Sequence, residues 1–143
     1  MPLPTPEPGL VVCYEFLWSH EHAAGADEGS KRRPCAIIVA ATTERGQTSV
    51  VVAPITHREP DPPELGIEVP AKVKAHLGLD ASRSWIVLNE LNAFVWPGVD
   101  LHPVPGRRGV YAYGLLPPRL FEQVRTGILA VDRALKRTIR RTE

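Results

Sequence analysis

A mainly β domain, a small barrel closed on one side by a C-terminal helix, follows from three features of this chain. Short runs rich in β-branched and aromatic residues recur along the first two thirds. They are separated by clusters of glycine, proline and polar residues. After residue 117 the period changes, and apolar residues recur at steps of three and four. Many short strands with one amphipathic helix give a small β-barrel covered by that helix. At 143 residues, 43% of them hydrophobic, the chain is one domain, residues 1–143, able to bury a core without staples.

The lead, residues 1–8, is proline-rich and expected to be flexible, and it resembles neither a secretory signal nor a transit peptide. The first strand runs from Gly9 to Trp18, with Val12, Tyr14, Phe16 and Trp18 on one face. Ser19 to Arg33 is polar, carries little to bury and reads as a mobile loop. Pro34 opens a strand over Cys35 to Ala41. Gly46 marks a turn, and Thr48 to Thr56 returns antiparallel to it. His57 to Gly66 is an extended loop. Gly66 to Val69 follows as a short strand, and Pro70 to Leu77 as a short helix ended by Gly78. Ser84 to Leu91 and Asn92 to Trp96 read as two strands, with Pro97-Gly98 as a turn, and Val110 to Gly114 as a last short strand. The terminal helix is expected over residues 117–140, its apolar face formed by Leu120, Val124, Ile128, Val131, Leu135 and Ile139.

Two cysteines, Cys13 and Cys35, form no disulfide framework and fit a reducing compartment. No apolar run exceeds strand length, so no membrane segment is expected, and the protein is placed in the cytoplasm. A net charge of +1 gives no overall field to attract nucleic acid, but the charge is unevenly spread. Lys31, Arg32 and Arg33 form one basic cluster. Arg133, Lys136, Arg137, Arg140 and Arg141 form another, for which a solvated face is the plainer reading. His20-Glu21-His22 lacks the helical spacing and the further ligand of a zinc site, and no metal is expected. Trp85, Phe94 and Trp96 could stack on bases, although core packing is the plainer role.

Three motifs stand in order: Gly9-Leu10-Val11-Val12, a loop ending in Arg33-Pro34 before an apolar strand, and a strand ending in Ile55-Thr56. Arg33 and Thr56 are 23 residues apart. Over about residues 8–57 this resembles the MazF/PemK family of toxin endoribonucleases. The resemblance implies an SH3-like barrel (MazF/PemK/CcdB-like) that dimerises, cuts single-stranded RNA with no cofactor, leaves a cyclic phosphate and is neutralised by a cognate antitoxin peptide. It also places the catalytic or phosphate-binding roles on Arg33 and Thr56.

The residue types suit that chemistry in their own right. Cleavage of RNA by its own 2′-hydroxyl needs a group that stabilises charge on the phosphate oxygens and groups that move protons. A guanidinium is permanently charged and can bind two phosphate oxygens at once, and a threonine hydroxyl can donate to phosphate. The family's later acidic–Gln–apolar–Arg strand motif has as its counterpart here Asn89-Glu90-Leu91-Asn92. Glu90 and His57 are therefore the candidates for proton transfer. Lys31, Arg32, Asn89 and Asn92 are the candidates for RNA contact. The same features also fit a non-catalytic barrel of this class that binds nucleic acid or a protein partner.

Overall fold

Three antiparallel strands organise the chain: β1 (Leu10–Glu15), β2 (Arg32–Thr42) and β3 (Thr48–Thr56). The computed structural model describes residues 3–26, 29 and 31–141. β2 and β3 are joined by a tight turn in which the Thr43 amide donates to the Gln47 carbonyl at 2.7 Å. Gly46 supplies the positive φ of +80° that this turn needs. The ladder runs Cys35↔Pro54, Ala36↔Ala53, Ile37↔Val52, then shifts by one residue at a bulge before Val39↔Val51. Such a bulge bends a strand and increases its twist.

Further strands attach to this centre. β6 (Glu90–Val95) pairs with β3, and β9 (Arg137–Arg140) lies parallel to β6. The end of β3 pairs with β5 (Trp85–Val87), and β5 with β4 (Gly66–Glu68). β7 (Leu101–His102) and β8 (Ala112–Leu115) share the outer edge of β1. Among the described residues this makes nine strands in one mainly antiparallel sheet, whose hydrogen-bonded ladder stays open.

The period of two along β1 sorts side chains onto two cores. Val11 joins Ala36, Ile38, Ala53, Ile55 and Ile86 beneath the helix α3 (Pro118–Ala130), which contributes Leu120, Val124 and Ile128. Leu10, Val12, Tyr14 and Phe16 face the other way, onto Cys35, Ile37, Val50, Val52 and Phe94. Trp85 and Phe94 are buried and Trp96 packs against the second core, as the plainer reading of these aromatics expects. None of the helices, among the described residues, is long and apolar enough to cross a membrane.

The structure departs from the sequence-based expectation in three places. First, the terminal helix stops at Ala130 and does not reach residue 140. Val131 is extended, and the Asp132 carboxylate accepts from the Ala134 amide at 2.9 Å, a local turn that competes with helix. The chain then finds the open edge of β6, where β9 forms. Second, the polar stretch after β1 contains a short helix, α1 (Ser19–Ala23), started by Glu21, whose carboxylate accepts from the Trp18 amide at 3.0 Å. Residues 27, 28 and 30 of that stretch, and residues 1 and 2 of the lead, lie outside the described residues. Third, the strand expected over Ser84 to Leu91 is shorter, and β6 begins at Glu90. The short helix after Pro70 forms as α2 (Ala71–Leu77), ended by Gly78 at φ 72°.

Candidate functional site

Two prolines shape the site. Past Cys35 and Pro54 the β2–β3 ladder ends, since neither Pro54 nor Pro34 has an N–H to give. Beyond that point β2 stays with β1, through Cys13↔Pro34 and Tyr14↔Arg33, whereas β3 turns to β5, through Thr56↔Trp85. The parted strand ends leave a cavity of about 480 Å³, and Lys31, Arg32, Arg33, Thr56, His57 and Arg58 all line it. Arg33 and Thr56, the pair singled out by sequence, thus share one cavity.

Arg33 is half-buried, and its Nε is shut off from water with no hydrogen-bond partner among the described residues. A buried donor left unmatched is costly, and the cost here falls on the Nε alone. The guanidinium lies over the Trp18 ring, 5.1 Å from its centroid. Burial draws its pKa below the usual arginine value, while Glu21 acts in the opposite direction. An arginine so placed keeps its charge at any physiological pH. The Thr56 oxygen accepts from the Arg58 amide at 3.3 Å, which leaves the hydroxyl proton to donate elsewhere. Lys31 and Arg32 are exposed at the same cavity, with Arg32 only loosely paired to Glu15 at 3.6 Å.

His57 is exposed but tied. Its Nδ1 lies 3.0 Å from the Arg83 carbonyl and 3.1 Å from the Ser84 hydroxyl, and its Nε2 is 2.9 Å from an Asp80 oxygen. The buried Lys74 completes the cluster. It donates to Asp80 and to Ser84, at 2.8 Å each, and to the Ser82 carbonyl. The hydrogen bond from Lys74, helped by His57, holds the Asp80 carboxyl below the usual carboxylate range. Residues 74–84 thus hold His57, the residue beside Thr56, in place. With both ring nitrogens engaged, His57 can move a proton only after releasing a partner.

Glu90 is engaged as well. One of its oxygens accepts from the Ser19 amide at 2.8 Å and the other from the Ser19 hydroxyl at 2.5 Å, an arrangement that pins the start of α1. With Asn89, Trp18, His20, Thr56 and Arg58 it lines a neighbouring cavity of about 360 Å³. Asn89 donates to the Leu135 carbonyl at 3.3 Å.

Asn92 does not belong to the site. As an inward-facing residue of β6, paired with Val52, it is wholly buried. Its amide accepts from the Leu17 amide at 2.9 Å and donates to the Leu17 carbonyl at 2.8 Å, and it also accepts from Arg141 at 3.2 Å. The expected RNA contact is thereby replaced by a clasp between β6 and the end of β1. Arg141 extends that clasp through a buried ion pair with Asp100 at 2.9 Å, so the second basic cluster is not uniformly solvated.

Sequence reasoning missed Trp18, His20 and Arg58 as lining residues. Trp18 packs against the core of Val12, Tyr14 and Phe16, as its place on that face expects, and also reaches the cavity, since β1 ends before it, at Glu15. Its signal was its place at the mouth of the loop that leads to Arg33. Among the described residues, no three His, Cys, Asp or Glu side chains are grouped so as to hold a metal ion.

No family model, no curated protein and no solved structure matches the chain.

Proposed function

We propose that this chain is a divergent member of the MazF/PemK group, an endoribonuclease that cuts single-stranded RNA, and the toxin of a type II toxin–antitoxin pair. The observation that carries the reading is Arg33, whose guanidinium lines one cavity with the Thr56 hydroxyl and is ringed by Lys31, Arg32 and Arg58. In the proposed reaction a ribose 2′-hydroxyl gives up its proton to a base and its oxygen attacks the adjacent phosphorus. The bond from phosphorus to the 5′-oxygen breaks, and that oxygen takes up a proton. The products are a 2′,3′-cyclic phosphate and a 5′-hydroxyl. Arg33 would stabilise the charge that builds on the non-bridging oxygens, and Thr56 would donate to one of them. Proton transfer falls to Glu90 or His57, each after yielding one of its present hydrogen bonds.

The SH3-like barrel belongs to the same proposal. It is supported by the bulge in β2 and by the way β3 serves β2, β5 and β6 in turn, both of which suit a strongly curved sheet. The homodimer and the antitoxin peptide follow from the family reading alone, whereas the cytoplasmic location also draws on the composition and the two cysteines.

A second reading, a non-catalytic barrel that binds RNA, is favoured by one observation, the engagement of both proton-transfer candidates with protein partners. Incubating a long single-stranded RNA with the purified protein in EDTA, and mapping the product ends, separates the two. Cuts ending in cyclic phosphates support the nuclease. Retention of RNA without cuts supports the binding module.

A further inference from the structure

The cavity at Arg33 continues into another. A cavity of about 390 Å³ shares Arg32, Pro34, Ile55 and His57 with it, so the two form one groove that passes His57. Pro34, Ile55, Leu79, Val104 and the ring of Tyr113 give the second cavity an apolar lining. Charge enters from three cations, and they are not equivalent. Lys74 is buried, and Asp80 neutralises it at 2.8 Å. Arg32 meets Glu15 only at 3.6 Å, while Arg107 is exposed and makes no ion pair among the described residues.

Arg107 is carried on a defined turn. Its amide donates to the Val104 carbonyl at 2.9 Å, and its carbonyl accepts from the Val110 amide at 3.0 Å. Gly106 and Gly109 supply the positive φ angles, 75° and 76°. The backbone beneath this arginine is therefore held in place, and only the side chain has to reach.

We propose that the second cavity is a nucleotide subsite, which takes the residue of an RNA strand next to the phosphate held at Arg33. The inference rests on the reading of Arg33 as the phosphate site. Arg32 and Arg107 bind the flanking phosphate, and the apolar lining with Tyr113 receives the base. A single-stranded chain fits this pattern because it alternates one charge with one flat apolar face, and cationic grooves with aromatic surfaces bind such chains. A duplex turns its bases inward and leaves the apolar lining unfilled. An acidic peptide would match the arginines and leave the lining equally unused.

The test is binding of a labelled 12-nucleotide single-stranded RNA, with 2′-O-methyl ribose throughout to prevent cleavage, across a range of salt concentrations. Cleavage of the matching RNA is measured in parallel. Arg107→Ala is expected to weaken binding about three- to tenfold and to lower the slope of log affinity against log salt by about 0.7, the value for one phosphate contact on a single strand. Arg107→Lys, which keeps the charge, should restore the slope. Wild-type affinity and slope in Arg107→Ala overturn the subsite even if Arg33-dependent cleavage is found. Absence of cleavage by the wild type overturns the nuclease reading separately, whatever Arg107 does. If a polyglutamate peptide binds with the same dependence on Arg107, the nucleotide assignment is overturned in favour of an acidic protein partner.

Discussion

The guanidinium of Arg33 rests on the indole of Trp18, 5.1 Å from the ring centroid, and His20 stacks nearby on the same ring at 6.4 Å. Cation–π attraction of this kind holds a guanidinium without taking up its N–H donors. The stack thus orients Arg33 without consuming the donors that the proposed chemistry needs.

Replacement of Trp18 by leucine is therefore expected to lower single-turnover cleavage up to about tenfold, the range of a partly buried cation–π contact. The half-buried position of Trp18 should keep the loss of stability small. Cleavage rates set beside urea denaturation midpoints check this. A variant that unfolds early and yet cleaves normally per folded molecule would show that the stack serves folding alone.

The three long strands and the meeting of Arg33 with Thr56 were legible in sequence. The signals there are local: period-two alternation, a glycine turn, and prolines at the strand ends. The tasks of Glu90, Asn92 and His57 were not, because each is set by a partner far along the chain: Ser19, Leu17 and Asp80. Periodicity over residues 131–140 misled for the same reason. Leu135 and Ile139 keep helical spacing, but the Asp132 turn and the open edge of β6 decide their conformation.

Asn92→Ala should act on stability and not on chemistry. It removes the partners of the Leu17 amide and carbonyl inside a closed region, at an expected cost of about 2–4 kcal/mol. Denaturant unfolding reads that cost, and cleavage per folded molecule should stay within about twofold of wild type. A large loss of RNA affinity in a fully folded Asn92→Ala protein would return this residue to the binding surface.

The cluster around His57 predicts a pH dependence with a definite sign. Because Lys74 and His57 hold the Asp80 carboxyl below its ordinary pKa of about 3.9, Asp80 stabilises the fold above that value. The contribution fades as pH falls through the ordinary value toward the lowered one. Asp80→Asn should melt at a lower temperature than wild type at pH 7, and the gap should narrow as pH falls below the ordinary carboxylate range. Melting curves of both proteins from pH 7 into the acid range check it, and a gap that stays constant as pH falls would contradict it.

The account depends most directly on Arg33. The decisive measurement is cleavage of a long single-stranded RNA in EDTA by wild type and by Arg33→Ala, with product ends mapped and folding of both proteins verified. The account predicts discrete cuts ending in cyclic phosphate for the wild type, and a rate lower by at least about a hundredfold in the variant, as for the loss of a principal charge-stabilising donor. Equal cleavage by the two proteins, or no cleavage by the wild type, would contradict it.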